Sequence, residues 1–217
     1  MECKRCGNQS VKNGKSKIGI QRYRCKSCRN SFQSSYKYSA FAVSDQQIIT
    51  FTKEGCGIRS TARILSISPN TVIRRIIKIG SQLKRPYLIS KGSKYEVDEL
   101  FTFVQKKTNR ICIAYSLEPT TGKIIDIIVG RRNKTNLRKI TETLILSEAQ
   151  QIKTDRLNLY GLLIPNRLHQ TKNRGINKIE RSNLNLRTHL KRLTRRSICF
   201  SKSLHVLLCI VKIYFWG

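Results

Sequence analysis

Hydrophobic positions change their spacing twice along this chain. Over residues 1–40 they are sparse and sit in short runs between Lys and Arg, which predicts hairpin strands and no helix. From Ser44 the period becomes helical. Ser44 caps a predicted helix carrying Ile48, Ile49 and Phe51, which stops near Gly55 and Gly57. A second helix, from Ile58 to Leu65, buries Ile58, Ala62 and Leu65. Ser68 caps a third, with Pro69 in the first turn, where a helix accepts proline. From Asn70 to Ile79 that helix turns Val72, Ile73, Ile76 and Ile77 inward and leaves Asn70, Thr71, Arg74, Arg75 and Lys78 outward. Two helices, a tight turn and a helix with polar and basic residues near its start is the helix-turn-helix layout, whose last helix enters the major groove. A plain three-helix bundle with a solvated basic face has the same pattern.

After a linker at 83–94 the period shortens to that of strands. Strands are predicted at Tyr95–Val104, Arg110–Leu117 and Lys123–Val129, the last two joined through the turn Pro119-Thr120-Thr121-Gly122. A helix from Asn133 to Leu146 follows, with Leu137, Ile140, Leu144 and Ile145 inward, and a short strand, Gln151–Thr154, delivers Asp155. The run from Ile179 to Leu193 is helical and heavily basic (Arg181, Arg187, Lys191 and Arg192, then Arg195 and Arg196). A last, largely buried helix ends in Tyr214-Phe215-Trp216. The expected fold class is a multidomain α+β chain. It has a zinc ribbon-like module at 1–40, a helix-turn-helix domain at 41–82 and an RNase H-like α/β catalytic domain at 95–217. Strand, strand, strand, helix, strand opens such a domain, though element order alone is a weak warrant.

Charge narrows the partners. Lys and Arg number 43 against 12 Asp and Glu, a formal charge of +31 in 217 residues. Such an excess opposes compaction unless a polyanion offsets it, and nucleic acid is the ordinary partner of so basic a chain. A membrane is not: Leu204 to Trp216 is apolar but interrupted by Lys212, and too short to span. Cys3-x2-Cys6 and Cys25-x2-Cys28 form two knuckles in the basic N-terminal segment. Together they can place four thiolates around a structural Zn²⁺, which supplies folding energy that a polar segment lacks. No signal peptide precedes Cys3, and Cys56, Cys112, Cys199 and Cys209 stand singly among apolar neighbours. That pattern predicts a reducing, cytoplasmic setting rather than a disulfide framework.

In so cationic a chain each acid invites a question. Most sit at termini, caps, turns or helix faces. Asp98 lies within a strand rich in Val and Phe, Asp155 ends a short strand, and Glu180 starts a basic helix with Arg187 two turns on. Convergent carboxylates are tolerated around a divalent cation, and hard oxygens of this kind suit Mg²⁺ or Mn²⁺. Position alone also allows plain salt bridges with the surplus cations. Glu96 and Glu99 flank Asp98, and either could be the ligand instead; pleating places Glu96 on the face of Asp98 and Glu99 opposite. His169, His189 and His205 read as polar contacts rather than bases.

Several runs together resemble transposases of the insertion-sequence-one family, short bacterial elements with a DDE active site. They include the Cys3–Cys28 module with Asn13-Gly14-Lys15 and Gln21-Arg22-Tyr23, then Gly57-Ile58-Arg59-Ser60-Thr61-Ala62-Arg63-Ile64 and Pro69-Asn70-Thr71-Val72. Most specific is Ile179-Glu180-Arg181-Ser182-Asn183-Leu184-Asn185-Leu186-Arg187-Thr188-His189-Leu190-Lys191-Arg192-Leu193, followed by Phe200-Ser201-Lys202-Ser203. The resemblance implies that Val97-Asp98-Glu99 holds the first catalytic aspartate and Thr154-Asp155, with Tyr160 after it, the second. Glu180 is then the glutamate, and Arg187 the basic residue that contacts DNA near the site. It further implies an enzyme that binds the terminal inverted repeats and performs metal-dependent cleavage and strand transfer. Such an enzyme works as a homo-oligomer on double-stranded DNA, element ends and target alike, in the bacterial cytoplasm at the nucleoid. Asn70, Thr71, Arg74 and Arg75 are the expected contacts of the helix-turn-helix. The rival expectations are a non-enzymatic DNA-binding regulator with a degenerate catalytic domain, and a nuclease that stops after the first cut.

Overall fold

A computed structural model describes residues 1–36, 43–86, 92–171, 177–194 and 199–217. The chain divides into two compact units, Met1–Ala42 and Val43–Gly217. The expected 40/41 boundary, residues 87–91 of the linker at 83–94, and Arg195 and Arg196 lie outside the described residues.

The first unit is a three-stranded antiparallel sheet of β1 (Ser10–Lys15), β2 (Gln21–Cys25) and β3 (Ser31–Gln33), in that order. As the sequence predicts, its described residues form hairpin strands and no helix. Its buried apolar side chains are Cys3, Cys25 and Phe32, with Tyr23 stacked on Phe32 at 5.9 Å. A core of that size cannot hold a fold by burial alone.

The second unit opens with α1 (Asp45–Lys53), α2 (Ile58–Ile64) and α3 (Pro69–Gln82). Local signals fix their starts. Ser44 and Gln47 form a reciprocal capping box, and Ser68 Oγ accepts the Thr71 N–H at 3.0 Å. The third helix runs on to Gln82, beyond the expected Ile79. A five-stranded sheet follows, built from β4 (Lys94–Phe103), β5 (Arg110–Leu117), β6 (Ile124–Gly130), β7 (Gln151–Thr154) and β8 (His169–Thr171). Its order is β6-β5-β4-β7-β8, with β4, β5 and β6 antiparallel and β7 and β8 parallel to β4. Helices α4 (Lys134–Leu146) and α5 (Asn158–Gly161) lie on one face, over Tyr95, Val97 and Ile152. Helices α6 (Asn177–His189) and α7 (Leu204–Trp216) cover the other, over Leu100, Ile113 and Tyr115.

That second core does not stop at the sheet. Ile48, Val72, Ile76 and Ile79 of the three N-terminal helices belong to the same buried cluster as Ile113, Leu186 and Ile210. Helix α7 joins them, packing on α3, α1 and β6 at once. The approach to α3 is close enough that a Cβ on Gly80 would sit 2.5 Å from Cys209 Cβ. The helix-turn-helix and the sheet are therefore one packed unit rather than two beads. The expected helix to Leu193 ends at His189, and a 3₁₀ turn, Lys191–Leu193, carries the buried Leu193 inward.

Candidate functional site

The site is set by strand register. In the parallel pair β4–β7, Glu96 lies beside Lys153. Two residues further on, past the last rung of β7, the same register brings Asp98 beside Asp155. Asp98, Glu99 and Asp155 each offer a carboxylate oxygen, and these oxygens all lie within 4.8 Å of one another. The two aspartates predicted to meet do meet.

Each acid is held by specific partners. Asp98 accepts the backbone N–H of Glu99 at 2.8 Å and Asn183 Nδ2 at 2.6 Å, while Asn183 Oδ1 takes the Tyr115 hydroxyl at 2.8 Å. Asp155 Oδ1 accepts the Leu157 N–H at 3.0 Å. Glu99 Oε1 accepts the hydroxyl of the fully buried Tyr160 at 2.7 Å. Burial pushes the Asp98 carboxyl up to about 6, against the Glu99 N–H that favours its charge, and the charges of Asp155 and Glu180 push the same way. Glu99 is raised by burial as well, over the opposing Tyr160 hydrogen bond. Crowded, half-desolvated carboxylates that resist ionisation together are the donor set a hard divalent cation relieves.

The glutamates fall on the faces that pleating predicts, Glu96 with Asp98 toward α6 and Glu99 opposite. Glu96 is 4% exposed and accepts the Ile179 N–H at 3.0 Å, so it anchors the start of α6 and is not a free ligand. Glu99 does point to the Tyr160 side of the sheet, yet its carboxylate still reaches the aspartates because β7 has ended there. The sequence reading kept Glu99 open as a ligand and placed it on the face opposite Asp98, and both hold; it read no role for Asn183. Glu180 is exposed on α6, outside the 4.8 Å cluster, although its charge reaches Asp98. Of the expected DNA contacts, Asn70, Arg74 and Arg187 are exposed. Thr71 shares a hydroxyl hydrogen bond with Ser68 at 2.8 Å, and Arg75 reaches Asp45 at 3.6 Å and the Val43 carbonyl. His169 Nε2 lies 2.8 Å from the Thr154 hydroxyl and His189 Nδ1 2.7 Å from Tyr214, so both are polar contacts.

The cysteine centre is in the first unit. Sγ atoms of Cys3, Cys6, Cys25 and Cys28 lie within 4.8 Å of one another, with Cys3–Cys28 and Cys6–Cys25 at 3.5 Å. Those gaps are too long for disulfides, and close to the edge of roughly 3.8 Å that a tetrahedron with Zn–S near 2.3 Å requires. The two knuckles are alike: the N–H of Cys3 donates to the Asn8 carbonyl and that of Cys25 to the Asn30 carbonyl, both at 2.9 Å. Each ends in a left-handed residue, Gly7 at φ 74° and Arg29 at φ 57°. Backbone N–H groups aimed at sulfur, that of Arg5 foremost, hold Cys3 down to about 6, and that of Cys28 lowers Cys25. Despite the Asn8 N–H, Cys6 is pushed up to about 12 by the thiols of Cys28 and Cys25. The donor set fits zinc.

A family profile described as IS1 transposase matches residues 94–215, and one described as InsA C-terminal domain matches residues 36–80. The chain belongs to the IS1 transposase family. It is 32% identical over 111 residues to the insertion element iso-IS1n protein InsB of Shigella dysenteriae, covering 51% of this chain and 85% of that one. The IS1 protein InsB of Shigella flexneri gives the same figures. The IS1 9 protein InsB of Escherichia coli (strain K12) matches at 32% over 51% of this chain and 66% of its own. Among solved structures, a chain of the simian T-cell lymphotropic virus intasome in complex with PP2A regulatory subunit B56 gamma aligns over 76% of this chain and 64% of that one. Its identity is 10% and its TM-score 0.39, too loose a likeness to argue from. This IS1-family transposase thus acts on DNA at the ends of an insertion element, as the sequence resemblance implies. None of its described helices is long and apolar enough to cross a membrane.

Proposed function

We propose that the chain performs metal-dependent DNA strand cleavage and strand transfer at element ends, with Asp98, Asp155 and Glu180 as its catalytic carboxylates. The convergence of Asp98 and Asp155 where β4 outruns β7 carries this reading. The strand order, with three antiparallel strands, a crossover helix and then parallel strands, supports an RNase H-like catalytic domain over 95–217. Before it stand a zinc module at 1–40, a helix-turn-helix at 41–82 and a linker at 83–94.

Asp98 and Asp155 would hold Mg²⁺ or Mn²⁺, with Glu99 as a further donor and Glu180 closing the site from α6. The bound cation supplies charge neutralisation at the scissile phosphate and at the attacking and leaving oxygens. The chain's own part is positioning. Asn183 and the Glu99 N–H fix the plane of the Asp98 carboxylate, Tyr160 fixes Glu99, and Glu96 holds the first turn of α6 so that Glu180 and Asn183 sit on the helix over the acids. Water would attack the phosphodiester at each end, leaving a 3′ hydroxyl on the element and a 5′ phosphate on the flank. That hydroxyl would attack a target phosphodiester, joining to its phosphorus and expelling the target's 3′ oxygen as a hydroxyl. Structural Zn²⁺ on Cys3, Cys6, Cys25 and Cys28 would hold the N-terminal module together. Asn70, Thr71, Arg74, Arg75 and Arg187 are the DNA contacts of this reading. Asn70 and Arg74 reach out to the groove, and Arg75 braces α3 against Asp45. Holding two ends together requires a homo-oligomer on DNA, at the nucleoid in the cytoplasm.

The test is strand cleavage and joining on flanking-repeat DNA with Mg²⁺ or Mn²⁺, comparing the wild type with Asp155→Asn. Cut and joined ends from the wild type, reduced at least ~1000-fold in the variant, are expected from the loss of a ligand that stabilises transition-state charge. Repeat binding without cleavage by either protein would replace this reading with that of a regulator. Cut ends that never join would leave a nuclease.

A further inference from the structure

Helix α6 has two working flanks. Glu180 and Arg187, seven residues apart, share the side near the acids. Lys178, Arg181, Ser182 and Asn185 share another, and there the helix walls an open cleft of about 910 Å³. The β5–β6 turn closes the cleft on one side and the last turn of α7, Tyr214-Phe215-Trp216, forms its floor. Among the described residues four cations line it, Lys84, Lys123, Lys178 and Arg181, and no carboxylate does. Lys84, Lys123 and Arg181 are exposed and form no ion pair with a described carboxylate. Trp216 is fixed rather than mobile, because its Nε1 donates to the Ile124 carbonyl at 3.0 Å.

Unneutralised cations over a rigid aromatic floor fit phosphates above and base faces below. A duplex hides its base faces in the stack, whereas an unpaired strand offers them. We propose that this cleft binds unpaired, single-stranded DNA, with Lys84, Lys123 and Arg181 on phosphates and a base stacked on the exposed part of Trp216. It is a second DNA site, separated from the carboxylates by the width of α6, and it suits a strand displaced from an element end. It rests on the reading of the chain as a DNA-processing enzyme but not on cleavage itself.

Trp216 is the single tryptophan of the chain, so its emission reports on this cleft alone. Full-length, zinc-loaded protein without Mg²⁺ or Mn²⁺ would be titrated with an oligothymidylate of about ten nucleotides, a length within the usual single-strand site sizes. Saturable quenching is expected. A Lys123→Ala/Arg181→Ala double variant, matched to wild type by circular dichroism, should need roughly tenfold more oligonucleotide. A duplex of the element end should bind with little quenching. Binding without quenching, equal quenching by the duplex, or an unchanged titration of the double variant would overturn the proposal. So would an emission change driven by protein concentration alone, which would place a second copy in the cleft. Quenching by a protein that never cuts would leave the cleft standing and sink the proposed chemistry instead.

Discussion

Asp98 is expensive to keep charged. Its carboxyl is held up to about 6 by burial first and by the nearby Asp155 and Glu180 charges after it. A folded value above the unfolded one means that the metal-free native state binds more protons than the unfolded chain between roughly pH 4 and 6. Stability from this group is therefore greatest below pH 4 and falls as pH rises through 6. Asp98→Asn removes the penalty, so in chelator the variant should be more stable than wild type at pH 7.5, by on the order of 1–2 kcal/mol, and the gap should close toward pH 4. Urea unfolding at the two pH values measures it; a variant less stable at pH 7.5 would mean that the Asn183 contact outweighs desolvation. At this scale the sequence was readable where chemistry and local pattern coincide: Asp98 and Asp155 stand out because each interrupts or ends an apolar strand. Glu99 was readable as a candidate and by its face, but not as a neighbour of both aspartates, since pleat parity does not register that β7 stops at Thr154. Nor was the pairing of Arg75 with Asp45, which joins residues far apart in the chain.

Elements were legible wherever caps or periodicity marked them. The capping box at Ser44, Ser68 with Pro69, and the near-continuous apolar run of β5 each lie where the pattern puts them. The one-turn α5 and the three-residue β8 were not predicted, because neither is long enough to carry a period. Crossings between elements were equally invisible. Gly80 falls just past the helix end that the sequence predicts, yet it lies inside α3 with α7 against it, Cys209 being 2.5 Å from where a Cβ would be. By propensity alone Gly80→Ala should stabilise a helix by about 1 kcal/mol. The added methyl meets the Cα as well as the Cβ of Cys209, neither of which a rotamer change moves, so overpacking should win and cost about 1–3 kcal/mol net. The midpoint of urea unfolding checks the sign. A stabilised Gly80→Ala would show that α3 and α7 separate easily.

At the scale of the molecule the two units rest on different physics. Val43–Gly217 has apolar cores on both faces of its sheet, and the last helix ties the helix-turn-helix into one of them. Met1–Ala42 has Cys3, Cys25 and Phe32 and four sulfurs within 4.8 Å. The zinc spacing was plain in the sequence; the shared core of α1–α3 with the sheet was not, because a chain read along its length shows a composition change at 83–94 and not what α7 later covers. A structural zinc contributes about 10–16 kcal/mol of apparent binding energy, and binding energy of that kind is folding energy. Stripping the metal should therefore unfold residues 1–36 and leave the second unit folded. In two-dimensional amide spectra the chelated protein should lose the dispersion of the β1–β3 signals while the sheet signals of β4–β6 persist, and affinity for the element end should drop at least about tenfold. Mg²⁺ binding at the carboxylates should be unaffected, since none of the four sulfurs belongs to that site. Retention of both the β1–β3 signals and full end binding after chelation would remove zinc from the account of how this unit folds. Loss of the β4–β6 signals along with them would show that the second unit depends on the first for its stability.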